Sequence, residues 1–285
     1  MSAAVGLAIR PGEPRAAERL AALPMYDLPE LARANDELWA GIGERLRAGG
    51  MADAPVRLTR TLPLDTVWTA SDLLLAQACG YPLMTSLRGR VKLVATPRYT
   101  APGCDGPFRR SVVVVRTQDR AGSLGDLRGR RLALNGVDSD SGMNLLRGLI
   151  APLARGGAFF GQVEITGSHA ASVEAVAEGS ADLSSIDCVT WAHLERLRPQ
   201  ITGKLRILAW TAKSPGLPLI TAGGADAAMI AALRAALDDV LHAPELASAR
   251  RDLMLDGFSV LPEAGYQSVL DLETLAIDHG YPKLI

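Results

Sequence analysis

Arg131-Leu-Ala-Leu-Asn-Gly-Val-Asp-Ser-Asp-Ser-Gly142 decides the fold: a short apolar run meets a polar turn, then a helical face built by Met143, Leu146, Leu149, Ile150 and Leu153. The run from Leu132 to Asn135 reads as a strand, so the segment is strand, turn and helix. The pattern returns at Val163 to Thr166, which runs into Gly167-Ser168-His169 and a helix carrying Val173 and Val176 on one side. Asp182 to Ile186 reads as a further strand, Val189 to Leu197 as a helix stopped by Pro199, and Leu205 to Trp210 as another strand. Upstream, Ser111 to Arg116 contains the β-branched run Val112 to Val115 expected of a strand buried on both faces. Strands alternating with helices specify α/β architecture, in which ligands bind beyond the carboxyl ends of the strands.

The flanks extend the alternation. Ala22 to Tyr26 is read as a strand ahead of a helix that carries Leu31, Leu38, Ile42 and Leu46 and closes at Gly49-Gly50. Val56 to Thr61 alternates apolar and polar residues and predicts a strand. Ser71-Asp72 looks like the start of a helix bearing Leu73, Leu74, Leu75 and Ala78, and Val91 to Thr96 is a β-branched strand. From Asp226 a longer helix uses Met229, Ile230, Leu233, Leu237 and Val240, and the remainder reads as helical with a break from Gly257 to Pro262. The expectation is two α/β lobes, each a mostly parallel sheet flanked by helices. Residues 1–110 and 213–285 form the first, residues 111–212 form the second as an insertion, and the chain crosses near Arg109 to Ser111 and Thr211 to Leu219.

With 285 residues, 48% of them apolar and 21% charged, the chain can bury large cores and is excluded from the disordered class. Thirty Lys and Arg against 31 Asp and Glu leave a net charge of −1, which argues against nucleic acid as a partner. Cys79, Cys104 and Cys188 are too few and too scattered for a disulfide framework and read as ordinary buried thiols. His169, Asp187, Cys188 and His193 lack a compact metal-ligand spacing, so no metal or cofactor is expected. No apolar run is long enough to span a membrane, and the first twelve residues lack the basic head and apolar core of a signal peptide.

Two polar turns carry the chemistry. In Asn135 to Gly142 the free amides of a helix start, with Ser139 and Ser141 beside them, can hold an anion; capping of the helix by Ser139 or Ser141 is the other use of the same residues. Gly167-Ser168-His169 repeats the geometry, and His169 in the first helical turn can donate to an oxyanion. Asp187 follows a strand and reads two ways, as a carboxylate facing the crevice or as the N-cap of the next helix. In the first lobe Tyr26, Trp68 and Tyr99 have the apolar body and polar tip that close over a small ligand.

Taken in order, Leu127-Arg-Gly-Arg-Arg-Leu-Ala-Leu-Asn135, Ser139-Asp-Ser-Gly-Met-Asn144, Thr166-Gly-Ser-His169, Ala175-Val-Ala-Glu-Gly-Ser-Ala-Asp182 and Ile186-Asp187 resemble the PhnD-like phosphate/phosphonate substrate-binding proteins of ABC transporters. The resemblance implies a type 2 periplasmic-binding-protein fold, two lobes closing on ligand, and an oxyanion held by Ser139, Ser141, Gly142, Ser168 and His169. It makes Asp187 a cleft carboxylate, with Asp65 a second candidate; Tyr26, Trp68 and Tyr99 are expected as first-lobe contacts from their positions alone. It implies a phosphate, phosphite or phosphonate ligand, an ABC permease as partner, a periplasmic location and no catalysis. Without a recognisable export signal, a cytoplasmic sensor of the same fold is the alternative reading. A hydrolase using Ser141, His169 and Asp187 is a third, although the G-x-S-x-G elbow is absent. No G-x-x-x-x-G-K-[ST] stretch is present, so the chain is not the transporter's ATPase.

Overall fold

A computed structural model describes residues 19–285; the N-terminal stretch read above for an export signal lies outside them. The strands are, in chain order, β1 (Leu20–Ala22), β2 (Leu73–Gln77), β3 (Val91–Tyr99), β4 (Phe108–Arg109), β5 (Ser111–Arg116), β6 (Arg131–Leu134), β7 (Gln162–Ile165), β8 (Leu183–Asp187), β9 (Leu205–Trp210), β10 (Ser214–Pro215), β11 (Leu219–Ala222) and β12 (Leu255–Ser259). The helices are α1 (Ala32–Ala48), α2 (Leu64–Thr69), α3 (Gly80–Met84), α4 (Leu145–Ile150), α5 (His169–Glu178), α6 (Cys188–Leu197), α7 (Pro199–Thr202), α8 (Ala227–His242), α9 (Ala247–Asp252) and α10 (Gln267–Asp278).

The strands form two five-stranded sheets, ordered β1-β2-β11-β3-β12 and β7-β6-β8-β5-β9, and a two-stranded ribbon of β4 against β10. The ribbon pairs Arg109 with Ser214 and Phe108 with Pro215, so both passages of the chain between sheets run side by side. β5 and β11, which follow directly on those passages, run against both of their neighbours, whereas β6 is parallel to β7 and β8. In the second sheet β6, β7, β8 and β9 therefore share a direction and only β5 opposes them. A strand entering from the other lobe arrives at the opposite end of the sheet, and this produces the mixed topology.

Val112 to Val115 of β5 are wholly buried, alternating between two apolar clusters, one with Leu132, Leu134 and Leu146 and one with Ala133, Val173 and Ile186. Burying each valine contributes roughly 1.5–3 kcal/mol, which anchors the second sheet at its centre. In the first sheet Leu74 and Leu75 pack beneath α1 and α8, and Leu73 and Ala76 face Trp68 and Tyr266. α10 joins both halves: Val269 belongs to the cluster around Trp68, and Ala276 with the following Tyr281 and Leu284 belongs to that around Leu146. The segment 213–285 thus supplies core residues to both sheets.

Four local expectations are corrected. Ser71 to Ala78 is not a helix; Leu73 to Gln77 is a strand, buried at every position. A short continuous apolar run suits a strand covered on both faces as well as it suits a buried helix, and here α1 and α2 cover those faces. Val56 to Thr61 forms no strand, because among the described residues it makes a single sheet-like bond, from Thr59 N–H to the Ala21 carbonyl (2.7 Å), and leaves Val56 53% exposed. Ala22 to Tyr26 is strand only at its start: β1 ends at Ala22, and Pro24, with φ fixed and no N–H, begins a 3-10 turn to Tyr26. Near the C-terminus, the break seen around Gly257 is in fact β12.

Candidate functional site

β6 delivers Asn135 to the mouth between the lobes, and the chain then makes a wide first helical turn, Asp140–Asn144, before α4. In that turn Asn144 N–H donates to the Ser139 carbonyl (3.0 Å), five residues back. Turns of this width recur at functional sites because they tip helix-start groups out of register. Asn135 Nδ2 donates to Ser139 Oγ (3.1 Å), which in turn accepts from Gly142 N–H (3.0 Å). A Cβ on Gly142 would lie 1.8 Å from Asn135 Oδ1, so glycine is required for the turn to close. Asp140 N–H donates to Cys79 Sγ (3.2 Å), and Ser141 N–H has no acceptor among the described residues.

β7 leads into the second turn, where Gly167 takes φ +85° and Ser168 caps α5 by accepting from Ala171 N–H (3.1 Å). Only glycine holds that left-handed conformation without strain, and it swings His169 back toward the first turn. Ser141 Oγ and His169 Nε2 lie 2.8 Å apart. Burial pushes His169 down to about 4, against the pull of the Asp187 charge, with Arg109 adding to the depression. The ring is therefore neutral at pH 7. If Nε2–H donates to Ser141, the serine hydroxyl hydrogen is free to point at an anion, and two helix starts act on one ligand.

Asp187 ends β8 with 1% exposure and caps α6, accepting from Val189 N–H (2.8 Å) and Thr190 N–H (3.2 Å). Its other partners are Tyr26 Oη, which donates at 2.8 Å, and the Arg109 guanidinium, in direct contact with the second carboxylate oxygen. Burial, then the Asp187 charge, holds the Tyr26 phenol far above its ordinary value, so it remains a donor. Arg109 is 2% exposed and also faces Asp140 Oδ2 at 3.7 Å. It stays charged because these carboxylates outweigh the cost of burying it. Both readings of Asp187 meet in one residue, which caps α6 and lines the cleft, but its charge is already matched. His169 Nδ1 has no partner among the described residues, so Asp187 does not complete a Ser-His-Asp triad.

These elements enclose a cleft of about 430 Å³, lined from the second lobe by Asn135, Gly136, Asp138, Ser139, Ser141, Gly167, Ser168, His169, Asp187 and Thr190. The first lobe contributes the Pro24 to Pro29 segment with Tyr26, then Leu64, Trp68, Cys79, Pro82 and Leu217. Of the residues singled out in the sequence, Ser139, Ser141, Ser168, His169, Asp187, Tyr26 and Trp68 meet here. Gly142 lies behind the turn. Trp68 is 5% exposed, and its Nε1 donates to the Gln77 carbonyl (3.1 Å). Tyr99 is elsewhere: it packs edge-on behind Tyr26, centroids 5.0 Å apart, and its hydroxyl accepts from Gln77 (3.1 Å). Asp65 is exposed on α2 and accepts from its own neighbour Thr66 (2.8 Å), away from the lining.

Sequence reading missed Arg109, Asn135, Asp138 and Thr190. Asn135 ends a strand inside a quoted motif and could have been found; Arg109 sits in an unremarkable Phe-Arg-Arg run, and only the fold shows that it is buried. The charges on the lining are mostly matched. Arg198 is held by Glu30 (2.8 Å) and Glu174 (2.9 Å), and Asp27 by Arg60 (2.5 Å). Exposed Asp138 is the carboxylate without such a partner among the described residues. An anion here would meet neutral donors and helix starts. No cluster able to hold a metal occurs among the described residues, and none of their helices is long and apolar enough to cross a membrane.

The family model described as "ABC transporter, phosphonate, periplasmic substrate-binding protein" matches residues 70–266. Among solved structures, the chain is similar to a binding protein component of an ABC phosphonate transporter from Pseudomonas aeruginosa, with TM-score 0.76, 14% identity and coverage of 92% of this chain and 88% of that one. It is similar to PhnD1 from Prochlorococcus marinus, solved in complex with methylphosphonate, with TM-score 0.75, 14% identity and coverage of 90% and 97%. A Xanthomonas citri protein solved bound to ATP gives TM-score 0.66, 18% identity and coverage of 91% and 97%. No curated protein sequence matches the chain. The likeness to these structures establishes the two-lobed type 2 periplasmic-binding-protein fold.

Proposed function

The chain belongs to the family of periplasmic substrate-binding proteins of phosphonate ABC transporters, and on that premise we propose that its cleft captures a small phosphorus oxyanion of the methylphosphonate or phosphate class. Its family role is solute binding, without catalysis. The observation that carries the ligand class is the 2.8 Å contact between Ser141 and His169, which brings two helix starts to one point. Ser139, Ser141, Ser168 and His169 form the oxyanion side of the proposed site, with Gly142 closing the turn behind them, Tyr26 and Trp68 opposite and Asp187 as its buried floor. Tyr99 supports Tyr26 from behind.

Neutral donors suit this ligand. A phosphonate presents three oxygens, and charge-assisted hydrogen bonds contribute roughly 1.5–3 kcal/mol each. Four of them can sustain micromolar affinity, about −8 kcal/mol, after the cost of association. Closure follows if the second-lobe turns hold the anion while Tyr26 and Trp68 of the first lobe cover its apolar end, since contacts made only in the closed state shift the population toward it. A closed, loaded protein is the form an ABC permease would receive. Calorimetry with methylphosphonate, phosphate and phosphite tests the reading. Micromolar or tighter binding of at least one of them, weakened in His169→Ala, is expected. Absence of heat with all three, in folded protein, would remove the proposed ligand class.

A further inference from the structure

Cys104 and Cys188 are separated by 84 positions, yet their sulfurs lie 3.7 Å apart. Cys104 hangs on the loop between β3 of the first sheet and β4 of the crossing ribbon, and Cys188 is the first residue of α6 in the second lobe. The backbone beside Cys104 runs against its partner: a Cβ on Gly103, where φ is +95°, would sit 3.1 Å from the Cys188 Cβ. Both sulfurs belong to the apolar cluster of Tyr26, Ala101, Val189 and Leu217, which spans the two lobes behind the cleft.

We propose that Cys104 and Cys188 are a redox-sensitive latch, whose disulfide ties the hinge loop of the first lobe to the start of α6 and fixes the aperture of the cleft. The sulfurs need to approach by less than 2 Å to bond at about 2.05 Å, which side-chain rotation supplies. The two thiols differ in role. The hydrogen bond with Cys104, burial and the Asp187 charge all hold the Cys188 thiol protonated, and Cys188 is 1% exposed. Half-buried Cys104 is the sulfur that meets an oxidant.

The oxidant is another disulfide, of a small thiol or of a thiol-disulfide oxidoreductase. Cys104, as thiolate, attacks one of its sulfurs and expels the first thiolate. Cys188 then gives up its proton and attacks the Cys104 sulfur, expelling the second. Two protein thiols become one disulfide, the oxidant's disulfide becomes two thiols, and the two protons pass to them. Because Asp187 immediately precedes Cys188 and is clasped by Tyr26 and Arg109, the link tightens the junction that the lobes share.

The full chain is incubated with oxidised or reduced glutathione, and free thiols are counted by alkylation under denaturing conditions. The expected result is a fall from three free thiols to one, with a mass loss of about 2 Da and a cross-linked peptide joining Cys104 to Cys188. The oxidised protein should melt roughly 5 °C higher or more, and methylphosphonate exchange should slow about tenfold. Cys104→Ser, at a half-buried position, should abolish all five changes while staying folded. Three remaining thiols, a link involving Cys79, or a Cys104-to-Cys188 link without change in melting or exchange would overturn the latch. The exchange measurement rests on the ligand class proposed above. Failure of the reduced protein to bind methylphosphonate counts against that class alone, and the thiol count and melting shift then decide the latch.

Discussion

Ser141 and His169 stand 28 positions apart and share one 2.8 Å hydrogen bond, so the starts of two helices act as a unit. Removing either side chain takes away a donor and frees the other to turn away. Ser141→Ala and His169→Ala are each expected to weaken methylphosphonate binding by roughly 1.5–3 kcal/mol, about 10- to 150-fold. The double variant should lose less than the sum, since contacting residues couple by roughly 0.5–3 kcal/mol. Calorimetry on the four proteins checks this, and strict additivity would mean that the two groups act on separate ligands or on none.

Arg109 and Asp187 make a different prediction, about stability. Both are almost wholly buried, and the pair sits between the crossing ribbon and the cap of α6. Breaking a buried pair leaves one charge uncompensated, at a cost of about 3–5 kcal/mol. Arg109→Ala leaves Asp187 and Asp140 together without a cation, so urea unfolding should show a loss of that size. Arg109→Met with Asp187→Asn should recover part of it, because the uncompensated Asp187 charge is gone. If the double variant is less stable than Arg109→Ala, repulsion between stranded carboxylates is not the cause.

The second lobe was legible because its strands are read from local patterns that survive packing: Val112 to Val115, Leu132 to Leu134 and the two polar turns each declare themselves within a few residues. The convergence of the turns was legible as an expectation because parallel β6 and β7 present their carboxyl ends on the same side. The first lobe was harder. Leu73 to Gln77 carries no period, so only the helices above and below reveal a strand, and β11 owes its partners to residues more than a hundred positions away. Arg109 was invisible since nothing local distinguishes a buried arginine from a surface one, and Tyr99 misled because an aromatic at a strand end faces either the cleft or the layer behind it. The nearness of Cys104 to Cys188 is a product of the hinge alone.

Ligand choice follows from which carboxylates are already engaged. Asp187 accepts from Tyr26, Arg109 and two amides, and Asp27 is bound by Arg60 and Asn35, so neither has capacity to receive an ammonium group. Exposed Asp138 lies on the lining, where solvent reduces a charge pair to about 0–1 kcal/mol. Aminoethylphosphonate is expected to bind no more than about fivefold tighter than propylphosphonate, its isostere without the charge. Competition calorimetry compares the two. A preference of a hundredfold for the amine would show that Asp187 exchanges Arg109 for the ligand.

Acid should loosen the fold through His193 and His169. His193 is wholly buried, and neither ring nitrogen has a partner among the described residues. Burial first, and Arg196 second, push it to about 4, against the pull of Asp187; His169 is also held near 4. Free histidine titrates at 6.5, so above that pH both rings are neutral whether the chain is folded or not. Between 6.5 and 4 the unfolded chain takes up protons that the folded one refuses, so stability falls as pH falls, and below 4 the loss levels off. For His193 alone the fall from pH 7 to pH 5 is on the order of 2 kcal/mol. Asp182, held below the usual carboxylate range by Arg131 and Arg116, responds only at lower pH and leaves this window clear. Urea midpoints at pH 7 and pH 5 should drop in the native protein and drop less in His193→Leu, which has no ring to protonate. Equal slopes in the two proteins would mean that His193 reaches water, or a hydrogen-bond partner, in solution.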